Sequence, residues 1–281
     1  MNFLKLTWYF KTLIIIGIIL LVLILTIMIS RGLMNYRSNR NIDTLYESIE
    51  SNQTEVIKDD DINQLPEPVY QWLLNSGVVG RERIKKVSLK QTGQMRLNPD
   101  DEWLTPKANQ EINVTDPGFV WTVNLPMAFT KGRDFFYQGN GEMLIKIAGL
   151  IPIVNVKDNE KINESALHRF LMEICWYPTA AIEDYIHWEG ISDNQARAYM
   201  TYQGMEIYAD FYFENNDIVR VETIRYTGAD ESSTRELCIA ELIEHQTFDG
   251  YRVPSKINIT WVEDQVEFTW YKLEITEMNM N

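Results

Sequence analysis

The sequence predicts a mainly β protein with a few helices: an N-terminal transmembrane helix, then a curved antiparallel sheet that forms a barrel, a half-barrel or a sandwich, with plugging helices. Three observations favour this class. An uncharged apolar run lies near the start, apolar and polar residues alternate from Val87 onward, and residues 166–182 form a short apolar helix pattern among strand patterns. Many consecutive strands joined by short turns curl as they twist, which predicts a hollow for that helix to close.

The apolar run covers residues 12–30 and contains no charged residue. As a helix it spans roughly 28 Å, close to the hydrocarbon thickness of a bilayer. Lys11 and Arg31 bracket it, and aromatic residues flank both ends. A cleavable signal peptide has a shorter apolar core that ends in small residues, and this run does not. We therefore expect a single-pass anchor in the cell membrane within residues 1–36.

The charge distribution bears on orientation and partners. Residues 1–41 hold five basic and no acidic residues, so the other 240 carry a net charge of −19. Two basic residues precede the apolar run and three follow it, which is nearly balanced under the positive-inside rule. The short N-terminal flank and large acidic domain favour an extracytoplasmic C-terminal domain, and a cytoplasmic one stays open as the alternative. So acidic a domain would be repelled by phosphate backbones, which argues against nucleic acid as a partner.

Residues 37–64 are polar and acidic and predict a stalk, with some helix around residues 42–49. The domain then extends over residues 65–281. It opens with a helix that has Pro66 and Pro68 in its first turn and Gly77 at its end. The apolar face that should dock on the sheet consists of Val69, Trp72 and Leu73.

Strand patterns follow from Val87 to the end of the chain, with a three-strand meander after residue 195. Pro254 suggests an edge strand or a strand start, because proline cannot donate to a β ladder. Turn signals occur at residues 138–141, 203–204, 214–217 and 249–250. In the middle strand of the meander one face consists of Met205, Ile207, Ala209, Phe211 and Phe213.

The isolated helix is predicted from Asn163, as its cap, to Cys175. Arg169 and Glu173 are spaced to pair on its exposed side. At about three turns it is too short to be stable alone, so it must bury its apolar stripe. The functional interpretation is that it lines a pocket for an apolar ligand, and the alternative is ordinary core. The predicted lining residues are Leu167, Phe170, Leu171, Ile174, Trp176 and Tyr177.

A basic run within the acidic domain is a candidate membrane-surface contact. Residues 81–90 carry five basic residues against one acidic residue, which suits anionic lipid head groups. The equally weighted alternative is an exposed strand that balances neighbouring acidic residues. The basic residues are Arg81, Arg83, Lys85, Lys86 and Lys90.

The sequence has no recognisable catalytic motif, so we expect no enzyme, metal site or cofactor. The nearest approach to one is His187 within a cluster of acidic residues at 183–193, which is more typical of a solvated loop. Cys175 and Cys238 are expected to be buried free thiols, with one disulfide as the alternative.

Two segments carry a resemblance to known proteins: "RFLMEICWYPTA" at 169–180 and "DGYRVP" at 249–254. With the strands around them, they resemble a family of uncharacterised bacterial membrane-anchored proteins, a domain of unknown function, over roughly residues 62–278. The "DG-x-x-VP" strand, followed by a strand ending in "EIT", is also similar to the LolA-like lipoprotein-sorting fold. That resemblance implies a strongly curved sheet plugged by helices, and a lipid or acyl chain as ligand. It implies no catalytic residues.

The function hypothesis is a membrane-anchored extracytoplasmic domain that binds or shields a lipid or another hydrophobic ligand. The alternative is a non-enzymatic module for protein–protein interaction in the cell envelope, with a hydrolase a distant third. A continuous apolar cavity would favour the first, and a filled core with an exposed apolar patch would favour the second.

Overall fold

A single antiparallel sheet dominates the protein. The structure, a computed structural model, describes residues 2–49 and 55–281. Within these residues thirteen strands lie in the spatial order β6-β5-β4-β3-β2-β1-β13-β12-β11-β10-β9-β8-β7. The strands are β1 (Lys86–Met95), β2 (Lys107–Asn113), β3 (Gly118–Asn124), β4 (Lys131–Tyr137), β5 (Asn140–Ile147), β6 (Ile151–Lys157), β7 (Ile186–Ser192), β8 (Gln195–Tyr202), β9 (Met205–Glu214), β10 (Asp217–Tyr226), β11 (Arg235–Phe248), β12 (Tyr251–Glu263) and β13 (Val266–Met280).

The sheet consists of two meanders that meet where β1 pairs with β13. Strands β1 to β6 step outward in chain order to one edge, and strands β7 to β13 return from the other edge to the centre. The turn between β8 and β9 is tight because Gln203 and Gly204 have φ values of 50° and 78°. The predicted turns at residues 138–141, 214–217 and 249–250 also separate successive strands.

The sheet curls until its two arms face each other across a hollow. Helix α3 (Glu160–Met172) contacts β4 and β5 in one arm and β9 and β10 in the other. Strands β5 and β10 are eight positions apart in the sheet, which in a flat sheet is about 38 Å at roughly 4.8 Å per strand. A helix is only about 10 Å wide, so one helix reaches both arms because the sheet bends around it. The predicted fold class, a curved and unclosed antiparallel sheet with plugging helices, is confirmed.

Helix α2 (Glu67–Ser76) packs on the same concave face. It ends at Gly77, whose φ of 79° is the left-handed conformation that stops helices. Its Trp72 ring lies 6.4 Å from the ring of Trp188 in β7 and 6.3 Å from that of Phe213 in β9. The predicted docking face of this helix is buried: Val69, Trp72 and Leu73.

Helix α1 (Asn2–Tyr46) runs without interruption from the apolar run into the domain. Among the described helices it alone is long and apolar enough to cross a membrane, and its apolar stretch is not buried in the protein. Its C-terminal part contacts β2, β3 and β4. There Leu45 is fully buried beside Val120 and Tyr137, which lie on the convex face because their neighbours Phe119 and Phe136 belong to the main core.

The predicted stalk is therefore partly a docked helix. Residues 37–46 are the last turns of α1, and residues 50–54 lie outside the part of the chain that the structure describes. The division into an anchor (1–36), a stalk (37–64) and a domain (65–281) stays a prediction.

One local prediction was wrong. Helix α3 is capped by Asn159, four residues before the predicted cap, and Asn163 instead accepts a hydrogen bond from the backbone N–H of Gly141 at 2.7 Å. Pro254 lies near the start of β12, two residues before the pairing of β12 with β13 begins at Lys256, so it pairs on one side only, as predicted. Its partner is His245, where the register of β11 shifts, and such irregularities accommodate a residue without an N–H donor.

Candidate functional site

The plug segment, residues 159–182, consists of α3 and two 3-10 turns, Glu173–Trp176 and Pro178–Ile182. It connects β6 at one edge of the sheet to β7 at the other, so the chain has to cross the hollow here. Both arms hold its first turn. Asn163 bonds to Gly141 in β5, and Lys161 Nζ donates to three backbone carbonyl oxygens in the loop between β10 and β11, at 2.9–3.1 Å.

The six predicted lining residues come together on the buried side of the plug segment, and each is at most 2 % exposed. Their polar atoms are paired: Trp176 Nε1 donates to the carbonyl of Pro254 at 3.1 Å, and the Tyr177 hydroxyl to that of Phe170 at 2.7 Å. All six belong to the main hydrophobic core. In this arrangement they fill the hollow, and their role in holding a ligand stays a prediction. They are Leu167, Phe170, Leu171, Ile174, Trp176 and Tyr177.

On its other side the plug helix meets the sheet through charged groups. Arg169 Nη1 lies 3.0 Å from Asp134 Oδ2 in β4, and its Nε lies 2.8 Å from Glu173 Oε1 one turn along the helix. Arg169 Nη2 donates to Gln110 Oε1 in β2 at 3.1 Å, and Gln110 Nε2 donates to Glu173 at 2.6 Å. We call Arg169, Asp134, Glu173 and Gln110 the latch.

The predicted pairing of Arg169 with Glu173 is confirmed, but its exposed position was wrong. Only 13–20 % of the charged side chains in the latch is exposed, because the sheet curls over this face of the helix. The Arg169 guanidinium also lies 4.7 Å from the ring centre of Phe119 and 5.1 Å from that of Trp121, within cation–π range.

Burial opposes ionisation in the latch. It raises the pKa of Asp134 although the Arg169 guanidinium pulls the other way. Burial also disfavours the charge of Arg169, but Glu173 and Asp134 outweigh that effect and raise its pKa. Nearby, burial lowers the pKa of Arg225, which donates to the Ser165 hydroxyl of α3 at 2.8 Å. The plug helix is thus fixed by ion pairs that are largely buried, although burial disfavours their charges.

The sequence analysis missed the strand residues of this site. Asp134 alternates with Phe136, and Gln110 with Ile112, so both polar residues occupy core-facing positions of their strands. Gln91 in β1 does the same and accepts from Trp121 Nε1 at 3.0 Å. A polar residue on the apolar parity of a predicted strand was the signal that could have revealed them.

Two thiols lie in the core around the plug. Cys175 is in the plug segment and Cys238 in β11, and both are free and buried, which confirms the expectation of unpaired thiols. Burial raises the pKa of Cys238 to about 11 and that of Cys175 further. Both thiols are therefore unreactive while the plug segment stays in place.

The basic run at residues 81–90 is dispersed among acidic and aromatic partners. Arg83 contacts Glu183 at 3.0 Å and Glu55 at 3.4 Å. Lys90 pairs with Glu277 at 2.6 Å. The remaining members lie as follows: Arg81 over the ring of Tyr251, Lys86 over the ring of Tyr46, and Lys85 with its backbone N–H bonded to Asn281. Contact of this run with a membrane stays a prediction.

The acidic cluster at 183–193 does not converge on His187. The His187 ring stacks on Tyr199, Glu189 accepts from the Tyr199 hydroxyl at 2.9 Å, and Glu183 pairs with Arg83. Across the described residues, no group of three or more His, Cys, Asp or Glu side chains is placed to hold a metal ion.

A cavity of about 500 Å³ lies on the convex side, between α1 and strands β2 to β4. Its wall is mainly polar, with two cations and one carboxylate, so it is not the apolar concave cavity that was predicted. The lining residues are Arg31, Asn35, Ser38, Asn39, Ile42, Asn109, Glu111, Val120, Thr122, Asn124 and Lys131.

The fold and the plugged concave face define the protein as a half-barrel domain behind a long apolar helix. The chain belongs to the family of unknown function DUF6920, whose model matches residues 63–279. The family resemblance predicted from the sequence is thereby confirmed. A search among curated proteins found no match.

Several solved structures are similar to this chain at low identity. A domain assigned to outer membrane lipoprotein sorting, from Vibrio parahaemolyticus, is 8 % identical with a TM-score of 0.41, over 70 % of this chain and 85 % of that one. A DUF1329 family protein from Desulfovibrio piger is 9 % identical (TM-score 0.40; 76 % and 90 %). A LolA superfamily protein from Nitrosomonas europaea is 9 % identical (0.38; 79 % and 91 %).

Proposed function

We propose that this chain is a single-pass membrane protein whose half-barrel binds an apolar ligand, such as a lipid acyl chain, in exchange for the plug segment. The carrying observation is that one short crossover helix, held on one side by the latch, occupies a concave surface lined with apolar side chains from both arms. Because the plug fills the hollow, a ligand can enter only as the plug leaves.

Two physical arguments support the exchange. A helix of 13 residues has little stability of its own, so it depends on packing against the sheet. Largely buried ion pairs such as those of the latch often contribute less to stability than well-packed apolar groups of the same size. An acyl chain that takes the place of the plug regains about 25 cal/mol per Å² of apolar surface buried, without needing a polar partner.

Photocrosslinking tests the proposal on the full chain. The protein is reconstituted in lipid nanodiscs with a palmitate that carries a diazirine, and the labelled peptides are mapped by mass spectrometry. We expect labels in residues 166–182 and in β11 around Cys238, and more of them in Arg169→Met, which breaks the latch. Labels confined to α1 in both proteins would contradict the proposal.

Arg197→Met is the matched control for that experiment. Arg197 forms an equally short ion pair with Asp210, with contacts of 2.7 and 2.8 Å, but on the convex face, since its neighbours Ala196 and Ala198 are in the core. Its loss should leave labelling of the plug segment unchanged.

We further infer an extracytoplasmic position for the domain, which the short N-terminal flank and the acidic domain favour. A topology reporter fused after Asn281 tests this: a reporter active only outside the cytoplasm should function, and a cytoplasmic reporter should not.

A second candidate, which a filled core with exposed apolar side chains favours, is an interaction module that uses a sheet edge. Strands β6 and β7 each pair on one side only in the described sheet, and Ile191 in β7 is 47 % exposed. Such an edge can accept a strand from a partner protein. If this candidate holds, Ile191→Pro should abolish partner capture in envelope extracts. Under the first candidate Ile191→Pro has no effect, and palmitate labelling depends on Arg169 instead.

A further inference from the structure

Four exposed apolar side chains lie at one end of the β3–β6 hairpins, two in a turn and two at the start of a strand. Met127 and Phe129 belong to the 3-10 turn between β3 and β4, and Ile151 and Ile153 begin β6. Phe129 is 73 % exposed and Ile151 62 % exposed. We call these four residues the exit face. Large apolar side chains grouped on a surface mark a site of contact with a membrane or another apolar surface.

Direct contacts join the exit face to the end of the apolar run in α1. The Ser30 hydroxyl donates to the backbone carbonyl of Gly149, in the turn before β6. Arg31 Nη1 donates to the backbone carbonyl of Phe129 at 2.9 Å. The approach is close because Gly149 has no side chain: a Cβ there would lie 2.6 Å from Arg31 Cγ, and its φ is +71°.

These contacts fix the depth of the exit face relative to α1. The uncharged run ends at Ser30, and Arg31 is the first charge after it. In a membrane-spanning helix such a position lies at the lipid–water interface. Backbone atoms of both exit-face loops touch these two residues, so the loops lie at the same level.

Cations surround the exit face in a chain whose net charge is −14. Arg31 and Lys131 line the same cavity, but the Lys131 side chain is buried and donates to Asn35 Oδ1, so it is not available to lipid. Arg37 and Lys146 line a smaller recess against α1. A cluster of cations near the lipid–water interface attracts the phosphate groups of anionic lipids.

We propose that the exit face is seated on the bilayer surface, with its four apolar side chains in the interface and with Arg31 and Lys146 facing phosphates of anionic phospholipids. This inference rests on the proposal that α1 spans the membrane. It assigns the membrane contact to the opposite end of the docked helix from the basic run: Lys86 lies beside Tyr46, about 22 Å further along α1 than Arg31 at 1.5 Å per residue.

Depth-dependent fluorescence quenching tests whether the exit face lies on the bilayer surface. Phe129→Cys, Ile151→Cys, Leu21→Cys, Ile191→Cys and Lys90→Cys variants of the full chain are labelled with the fluorophore NBD, while native Cys175 and Cys238 are buried. Each is placed in nanodiscs of phosphatidylcholine and phosphatidylglycerol that contain lipid spin-labelled either at carbon 5, near the interface, or at carbon 14, near the bilayer centre. We expect the carbon-5 lipid to quench positions 129 and 151 more than the carbon-14 lipid does, the reverse order at position 21, and almost no quenching at 191 and 90.

Each other outcome has a definite meaning. Quenching at position 21 without quenching at 129 and 151 overturns the seat and leaves the spanning helix intact. Quenching at position 90 in place of 129 moves the contact to the basic run, which also overturns it. Absence of quenching at position 21 removes the membrane-spanning helix and both proposals with it.

The anionic component is tested separately with Lys146→Gln in the Phe129→Cys background. In discs with phosphatidylglycerol the ratio of seated to free domain should fall by roughly fivefold per cation lost. Lys90→Gln is the matched control and should leave that ratio unchanged. Equal quenching of all three proteins would contradict the lipid-phosphate contact of Lys146.

Discussion

The guanidinium of Arg169 lies 3.0 Å from the carboxylate of Asp134, and this ion pair joins the plug helix to strand β4. Replacing Arg169 with Met should lower the free energy of unfolding by about 2–4 kcal/mol, because Asp134 and Glu173 stay largely buried without a cation. Denaturant unfolding of the full chain in micelles, followed by tryptophan fluorescence, measures the change. Arg197→Met should cost about 1 kcal/mol or less, and equal losses in the two variants would show that the latch is no stronger than a surface pair.

Acidification should lower the free energy of unfolding because of His168, a buried residue of α3 in the plug segment. Burial and the charge of Arg225 lower its pKa to about 4 from 6.5, while Glu164 partly opposes them. Below pH 6.5 the unfolded chain therefore takes up a proton that the folded chain refuses until about pH 4, so stability falls as pH drops through this window. The expected loss at pH 5 relative to pH 7.5 is about 2 kcal/mol.

His168→Gln isolates that contribution. His245 also has a pKa lowered by burial, so some dependence in the same direction should remain in the variant. Unfolding curves at both pH values should show a smaller loss for His168→Gln by about 2 kcal/mol. Parallel losses in the two proteins would rule out His168 as a source of the pH dependence.

Gly141 should be intolerant of a side chain because the plug helix rests on it. A Cβ at this position would lie 2.9 Å from the carbonyl oxygen of Ile162 and 3.3 Å from the backbone nitrogen of Asn163. Gly141→Ala should therefore push α3 outward, and Cys175 and Cys238 should react faster with a thiol reagent at pH 8. Gly32→Ala is the control, since a Cβ there meets nothing within 4 Å and the backbone is helical, and it should leave the thiols protected. Equal protection in both variants would show that α3 accommodates the extra carbon.

Mutations of two phenylalanines should have different effects, because one lies in the core and the other on the exit face. Phe170 is fully buried, whereas Phe129 is 73 % exposed. Phe170→Ala should lower the free energy of unfolding by about 3–5 kcal/mol through the cavity it leaves. Phe129→Ala should change it by less than about 0.5 kcal/mol. A similar loss for both in micelles would mean that Phe129 packs against the domain.

The sequence predicted local features well where one residue type decides the structure. Gly77 ends α2, Gln203-Gly204 forms a turn, and the face of β9 that carries Phe211 and Phe213 is buried as its alternation indicated. These features depend on neighbours within a few positions along the chain. Strand β6 was not singled out, because its apolar residues are mostly exposed at an edge and Pro152 interrupts them.

Contacts between residues far apart in the chain could not be predicted from these local sequence patterns. That β1 pairs with β13, and that the two arms enclose α3, depends on contacts between residues far apart in sequence. The latch brings Arg169 of the plug helix together with Gln110 of β2 and Asp134 of β4, so no residue spacing in the sequence predicts it. The six lining residues were correctly grouped because they follow one helical stripe, while the filling of the space around them depends on both arms.

Helix α1 has no break between its apolar run and the turns that pack on β2 to β4. If it spans the bilayer, it connects the domain to the membrane rigidly and not as a flexible tether. The hollow is then held at one height and tilt above the lipid surface, and whatever enters it must arrive at that level, either by sliding out of the adjacent leaflet or by delivery from a carrier that docks there.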